Sequence, residues 1–219
     1  MSDHATHSVE NGLPRQTLLE QILDQGNMGR AWSRVRANKG KPGIDGMSVK
    51  DFPAFSQVHI HRIIAQIREG RYAPAPVKRV WIPKPDGTQR PLGVPTVLDR
   101  VIQQAIAQVL GPLFEVGFSE NSFGFRYGRA AHAAVERISE ASQEGYKWGV
   151  DCDLKGYFDT VNHDLLIQQL KGRVTEKPVL RLIGKYLRAG VRLEDGSTEK
   201  TLKGVPQGGP LSPLLANIM

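Results

Sequence analysis

The sequence predicts an α+β fold in which two short hairpins and one core strand are set among amphipathic helices. Three observations carry that expectation. Apolar residues recur at three- and four-residue spacing over several stretches, the longest running from Val97 to Leu113. Two Asp-Gly steps, Asp86-Gly87 and Asp195-Gly196, separate short runs of strand-forming residues. Tyr146 to Leu154 alternates, with Trp148, Val150, Cys152 and Leu154 on one side and Asp151 and Asp153 on the other.

Composition bounds the possibilities. At 219 residues and 40% hydrophobic content, the chain can bury a substantial core, in one body or in two lobes sharing a cleft. No apolar run approaches the roughly 20 residues needed to span a bilayer, so no membrane partner is expected. The opening Met1 to Gly12 is polar and lacks an apolar signal core, which points to a cytoplasmic protein. Cys152 is the only cysteine, excluding an internal disulfide framework and a thiolate zinc site.

The elements follow in order. Thr17-Leu18-Leu19-Glu20 is a capping box opening a short helix to about Leu23. Met28, Ala31, Trp32 and Val35 continue at helical spacing, and Asn38 to Gly46 is a basic loop rich in glycine. Ser48 to Asp51 resembles a cap for a helix whose apolar face is Phe55, Ile60, Ile63, Ile64 and Ile67. Val77 to Val94 reads as a hairpin turning at Asp86-Gly87, with Lys84 and Arg90 at its tip and return. Thr96 caps the helix of the long stripe, and a further helix covers Ala130 to Ser142. After the alternating strand, helices are expected over Asn162 to Leu170 and Pro178 to Leu187. Then come a second hairpin, a tight loop at Gly204 to Gly209, and a helix from Leu211. The face of Leu211, Leu214, Leu215 and Ile218 is expected to lack a partner.

Charge is distributed unevenly. Arg30 to Arg90 holds thirteen Lys/Arg against four Asp/Glu, a balance of +9, whereas the whole chain carries +7. A basic excess confined to one third of a chain suits a polyanion partner, with a solvated basic surface as the alternative.

The strongest chemical signal is Asp151-Cys152-Asp153-Leu154-Lys155-Gly156-Tyr157-Phe158-Asp159. Phosphoryl transfer needs divalent ions held by carboxylates near the reacting oxygens, and Mg²⁺ binds through one or two carboxylates plus substrate phosphates. An acid at a strand end followed by glycine and two aromatics suits that task. The alternative is that Asp153 or Asp159 simply caps the next helix. His163 follows an asparagine at a helix opening and is read as structural.

This segment resembles motif A of reverse transcriptases, and other blocks of that family occur around it in order. Trp81 to Gly93 (Trp-Ile-Pro-Lys-Pro-Asp-Gly-Thr-Gln-Arg-Pro-Leu-Gly) is similar to the fingers hairpin of the group II intron branch. Asn121-Ser122-Phe123-Gly124-Phe125-Arg126-Tyr127-Gly128-Arg129 is similar to its block between fingers and palm, although Tyr127 stands where the family more often has proline. Gly204-Val205-Pro206-Gln207-Gly208-Gly209-Pro210-Leu211-Ser212-Pro213 is similar to its motif B, and Ala37 to Gly46 to its amino-terminal extension.

The resemblance implies a right-hand polymerase fold, fingers plus partial palm, that stops before the Tyr-x-Asp-Asp hairpin. Its expected parts are a leader at 1–16, a helical extension with basic loop at 17–76, fingers at 77–145, and a partial palm at 146–219 with a fingers insertion at about 165–203. It also implies residue roles. Asp153 would be the catalytic metal ligand, with the Leu154 carbonyl beside it, for Mg²⁺ or Mn²⁺. Lys84 and Arg90 would grip a dNTP triphosphate, Phe158 would gate the ribose 2′-oxygen, and Gln207 with Gly208 would form the floor under the nucleotide. Arg34, Arg36, Lys39, Lys41, Arg126 and Arg129 would contact nucleic acid, whereas Phe123 and Phe125 are expected in the core.

The implied activity is RNA-directed DNA synthesis with an RNA template, a DNA primer or target, and homodimer formation by the full-length protein. The 219-residue chain is expected to be inactive alone. The alternatives are an intron RNA-binding maturase that assists splicing without polymerising, and a retron-type or defence reverse transcriptase.

Overall fold

The computed structural model describes residues 16–219. The expected leader therefore lies outside the described residues, Gln16 apart.

The spine is α4 (Val97–Glu115). Its N-terminus is closed by Thr96, whose hydroxyl accepts from the Asp99 backbone N–H at 3.1 Å. The predicted stripe is buried at Val97, Val101, Ile102, Ala105, Ile106 and Leu110, and Phe114 extends it. Burying each of these side chains other than Ala105 stabilises the fold by about 1.5–3 kcal/mol relative to exposure.

Against this spine lie α1 (Leu18–Leu23) and α2 (Gln25–Ala37), burying Ile22, Leu23, Met28, Ala31 and Val35. Thr17 accepts from the Glu20 N–H, as its capping box predicts. The other free N–H groups of α1 are met from far along the chain: Glu176 accepts from Leu18 and Leu19 at 2.5 and 3.1 Å. Asn27 locks α2 to α4, donating to the Ala105 carbonyl at 3.1 Å and accepting from Gln108 at 2.7 Å.

The basic loop between α2 and α3 (Phe52–Arg68) is pressed onto the start of α4. Arg100 donates to the Lys41 carbonyl at 2.8 Å. A Cβ at Gly43 would lie 2.7 Å from the Thr96 Cα, and one at Gly40 would collide with the Arg100 guanidinium. Asp51 does not cap α3 with its side chain. Its carboxylate instead accepts from the Ser48 N–H and hydroxyl, closing the turn before the helix.

The predicted hairpin is β1 (Val77–Pro83) with β2 (Gln89–Val94), in register Lys78 to Val94 through Pro83 to Gln89. The predicted second hairpin, turning at Asp195-Gly196, also forms, but its pairing with the first is not legible in the sequence. β3 (Val191–Arg192) pairs parallel to β1 at Val77, and β4 (Thr198–Glu199) completes a sheet ordered β2-β1-β3-β4. Two-residue strands carry too little periodicity to be read as partners of a distant hairpin.

α5 (Ala131–Gln143) buries no residue. The short α6 (Tyr157–Thr160) precedes α7 (His163–Lys171) and α8 (Lys177–Leu187), which add Leu166, Leu170, Ile183 and Leu187 to the core. In α9 (Ser212–Ile218) the structure overturns an expectation: Leu211, just before the helix, and Leu215 are each 2% exposed, because α9 packs against α4 and α7.

A second correction concerns Tyr146 to Leu154. No strand forms there, and Trp148, Val150 and Leu154 are 96%, 90% and 70% exposed. Alternation shows which residues suit a strand, but the strand itself needs a neighbouring backbone to pair with. Among the described residues no segment takes that place. No described helix is long and apolar enough to cross a membrane.

Candidate nucleotide and nucleic-acid site

The loop 204–209 bonds to two distant segments of the chain. On one side, Val205 N–H donates to the Phe158 carbonyl and Gly204 N–H to the Val161 carbonyl, both at 2.7 Å. His163 bonds the Gly204 carbonyl at 2.8 Å from a buried ring, so its role is structural. On the other side, the Gly93 N–H of β2 donates to the Gln207 carbonyl at 2.7 Å. The glycines permit this closeness. Gly204 has φ +86° with the Phe158 carbonyl 2.9 Å from where a Cβ would stand, and Gly208 has φ +113° with the Gly93 carbonyl at 2.7 Å.

The clamp brings five predicted residues around one open cleft of about 710 Å³: Lys84, Arg90, Phe158, Gln207 and Gly208. Lys84 and Arg90 are exposed on the hairpin, whose tip is set by Lys84 N–H donating to the Thr88 carbonyl at 2.7 Å. The Asp86 carboxylate accepts from the Thr88 N–H and hydroxyl, which holds it below its ordinary pKa. It is thereby occupied within the turn, leaving two cations facing the cleft. Phe158 is half-buried, its ring edge-on to Tyr157 at 6.1 Å.

The other predicted residues fall elsewhere. Asp153 and Leu154 are exposed and do not line the cleft. As an oxygen-donor set they fit Mg²⁺ in part. Among the described residues the Asp153 carboxylate has no hydrogen bond or ion pair, and the Leu154 carbonyl accepts only from the Tyr157 N–H, leaving a lone pair. No group of three His, Cys, Asp or Glu that could hold a metal is gathered among the described residues. Arg34, Arg36, Lys39 and Lys41 are exposed along the end of α2 and the basic loop, where Asn38 and Gly40 reach the cleft rim.

Arg126 departs from its expected role. It is buried and turned inward, donating to Glu115 at 2.6 and 3.0 Å and to the Ser119 and Ser122 carbonyls at 2.5 and 2.7 Å. The pair holds the Glu115 carboxyl below its usual range. Arg126 thus organises its loop rather than reaching outward. Arg129 stacks 5.5 Å over Phe123 and donates to the Glu120 carbonyl. Phe125, expected in the core, is 74% exposed and lines the cleft.

Arg100 and Gln104 also line the cleft, and sequence reasoning passed over them. Their spacing places them on one helix face: Arg100, Gln104 and Gln108 recur four apart along α4.

Comparison with known proteins shows the family. Residues 82–219 match the family model of "Reverse transcriptase (RNA-dependent DNA polymerase)", so the chain belongs to the reverse transcriptase family. It is 39% identical over 189 residues to the group II intron-encoded protein LtrA of Lactococcus lactis, covering 86% of this chain and 31% of LtrA. To Protein YkfC of Escherichia coli it is 34% identical over 218 residues, covering 97% of this chain and 57% of YkfC. Among solved structures, a chain of the partial Cas6-RT-Cas1–Cas2 complex superposes with a TM-score of 0.62 at 28% identity, covering 99% of this chain and 37% of that one. The chain thus spans between about a third and just over half the length of these relatives.

Proposed function

We propose that this chain holds the incoming nucleotide and the template for an RNA-directed DNA polymerase of group II intron type. The observation that carries this reading is the convergence of Lys84, Arg90, Phe158 and Gln207 on one cleft through the 204–209 clamp. Lys84 presents a point charge and Arg90 a planar fork, which together suit the oxygens of a dNTP triphosphate. Phe158 would stand as an apolar wall against the sugar, and Gln207 with Gly208 would form the floor under the nucleotide. Asp153, with the Leu154 carbonyl, would hold Mg²⁺ or Mn²⁺, which supplies charge neutralisation at the phosphates. Asp153 stands outside the lining of the cleft, and the 219-residue chain is expected to bind nucleotide without extending a primer.

The test is a titration of the chain with dNTP and Mg²⁺. Saturable binding is expected, weakened about tenfold, or ~1.4 kcal/mol, by Lys84→Ala and by Arg90→Ala. Binding indifferent to both substitutions would defeat the reading. Primer extension by the chain, abolished by Asp153→Ala, would overturn the expectation of inactivity.

A second reading, an RNA clamp that assists splicing without polymerising, is favoured by one observation: Arg34, Arg36, Lys39 and Lys41 are all exposed along one contiguous segment. RNA binding with no dNTP binding would select it.

A further inference from the structure

A second groove, of about 1070 Å³, lies beside the nucleotide cleft and is lined by residues of α1, α2, α4, α9 and the block 118–127. The two share Gln104, Phe125, Pro210 and Pro213, so Phe125 stands at their common wall.

Phe125 is unusual in three independent ways. Its φ is +56°, a left-handed conformation that disfavours a residue with a Cβ by about 1–2 kcal/mol. Its ring is 74% exposed, so burial does not offset that strain. And both neighbours hold it in place. Asn217 of α9 donates to the Gly124 carbonyl at 2.9 Å, and the Arg126 guanidinium is fixed to Glu115, Ser119 and Ser122. A strained residue kept by surrounding bonds, with an exposed aromatic ring, is being presented to something.

The groove's chemistry indicates what. Glu115 is paired with Arg126 and Asp24 caps α2, whereas Arg30 and Arg34 line the wall with no carboxylate paired to them among the described residues. Tyr127, 90% exposed, adds a second exposed ring to the lining. Exposed rings beside a run of cations are how proteins hold unpaired nucleic acid: bases stack on the rings and phosphates meet the cations. We propose that Phe125 is a stacking platform for an unpaired template base, and that the groove beyond it carries single-stranded RNA into the nucleotide cleft, with Arg30 and Arg34 on its phosphates. The identity of the strand as template rests on the polymerase reading above.

The experiment uses the 219-residue chain and a fluorescein-labelled, unstructured RNA of about 12 nucleotides, within the span such grooves accommodate. Phe125→Gly relieves the backbone strain, so its thermal midpoint should equal or exceed that of wild type, while RNA affinity falls roughly tenfold. Phe125→Trp should keep the affinity and show indole quenching by RNA beyond that of wild type. Arg34→Gln should weaken binding and lower the slope of log affinity against log salt by about 0.7. RNA affinity unchanged in Phe125→Gly, or no added quenching in Phe125→Trp at saturation, overturns the proposal. That is also the result expected if a protein segment fills the groove instead. Titrating wild type with dNTP in parallel separates the two readings. RNA held through Phe125 without dNTP uptake would defeat the nucleotide reading alone. Uptake of dNTP with Phe125→Gly binding RNA normally would defeat the platform alone.

Discussion

Asp99 shows how a single residue ties the base of the hairpin to the spine. It is 2% exposed, and its carboxylate accepts from the Tyr72 hydroxyl and the Thr96 hydroxyl at 2.7 Å each and from the Ala75 N–H at 3.2 Å. Burial raises its pKa above the ordinary value of 3.8, and those three bonds pull the other way without cancelling it. The sign follows: the folded state holds the proton to higher pH than the unfolded chain does. Asp99 therefore favours the fold below about pH 4, and this contribution is lost as pH rises toward its elevated folded value. Denaturant melts of wild type and Asp99→Asn across that range should show wild type losing stability relative to the variant as pH rises. A constant difference would remove Asp99 from the account. Nothing in the sequence marks this carboxylate as buried, because its partner Tyr72 lies 27 residues away and outside any periodic pattern.

At the scale of elements, the helices were the most legible. Thr17, Thr96 and Asn162 all cap as their residue types dictate, since a cap and an apolar stripe are local properties. The hairpin was equally plain from its Asp-Gly turn. What failed was non-local. The alternating segment 146–154 finds no pairing strand among the described residues, and the parallel β1–β3 pairing joins positions more than a hundred residues apart. Of the site, the residues along one cleft were legible from their motifs, but the inward turn of Arg126 and the outward turn of Phe125 were not. Both follow from a positive φ and a Glu115 partner that a linear pattern does not reveal. The 204–209 clamp yields its own prediction. Gly208→Ala adds a Cβ 2.7 Å from the Gly93 carbonyl at φ +113°. It should cost about 1–3 kcal/mol, several degrees in thermal midpoint, and weaken dNTP binding together with stability. A variant that melts like wild type would show that the loop does not depend on this approach.

For the whole molecule, the asymmetry of charge is the governing feature. The +9 of residues 30–90 is carried by α2, the basic loop, α3 and the hairpin, and much of it is exposed beside the two grooves. Single-stranded RNA binding should weaken linearly in log–log terms with salt, each phosphate contact adding about 0.7 to the slope. Lys39→Gln with Lys41→Gln should therefore reduce the slope by about 1.4. A slope unaltered by the pair would place the RNA elsewhere.

The central claim is that hairpin, Phe158 and the 204–209 loop form one nucleotide site. Amide hydrogen exchange with and without dNTP and Mg²⁺ tests it most directly. Slowed exchange at Lys84 to Arg90, around Phe158 and at Gln207 to Gly209, all with the same dependence on dNTP concentration, is the predicted result. Protection confined to one of the three segments, or lying outside them all, would contradict it.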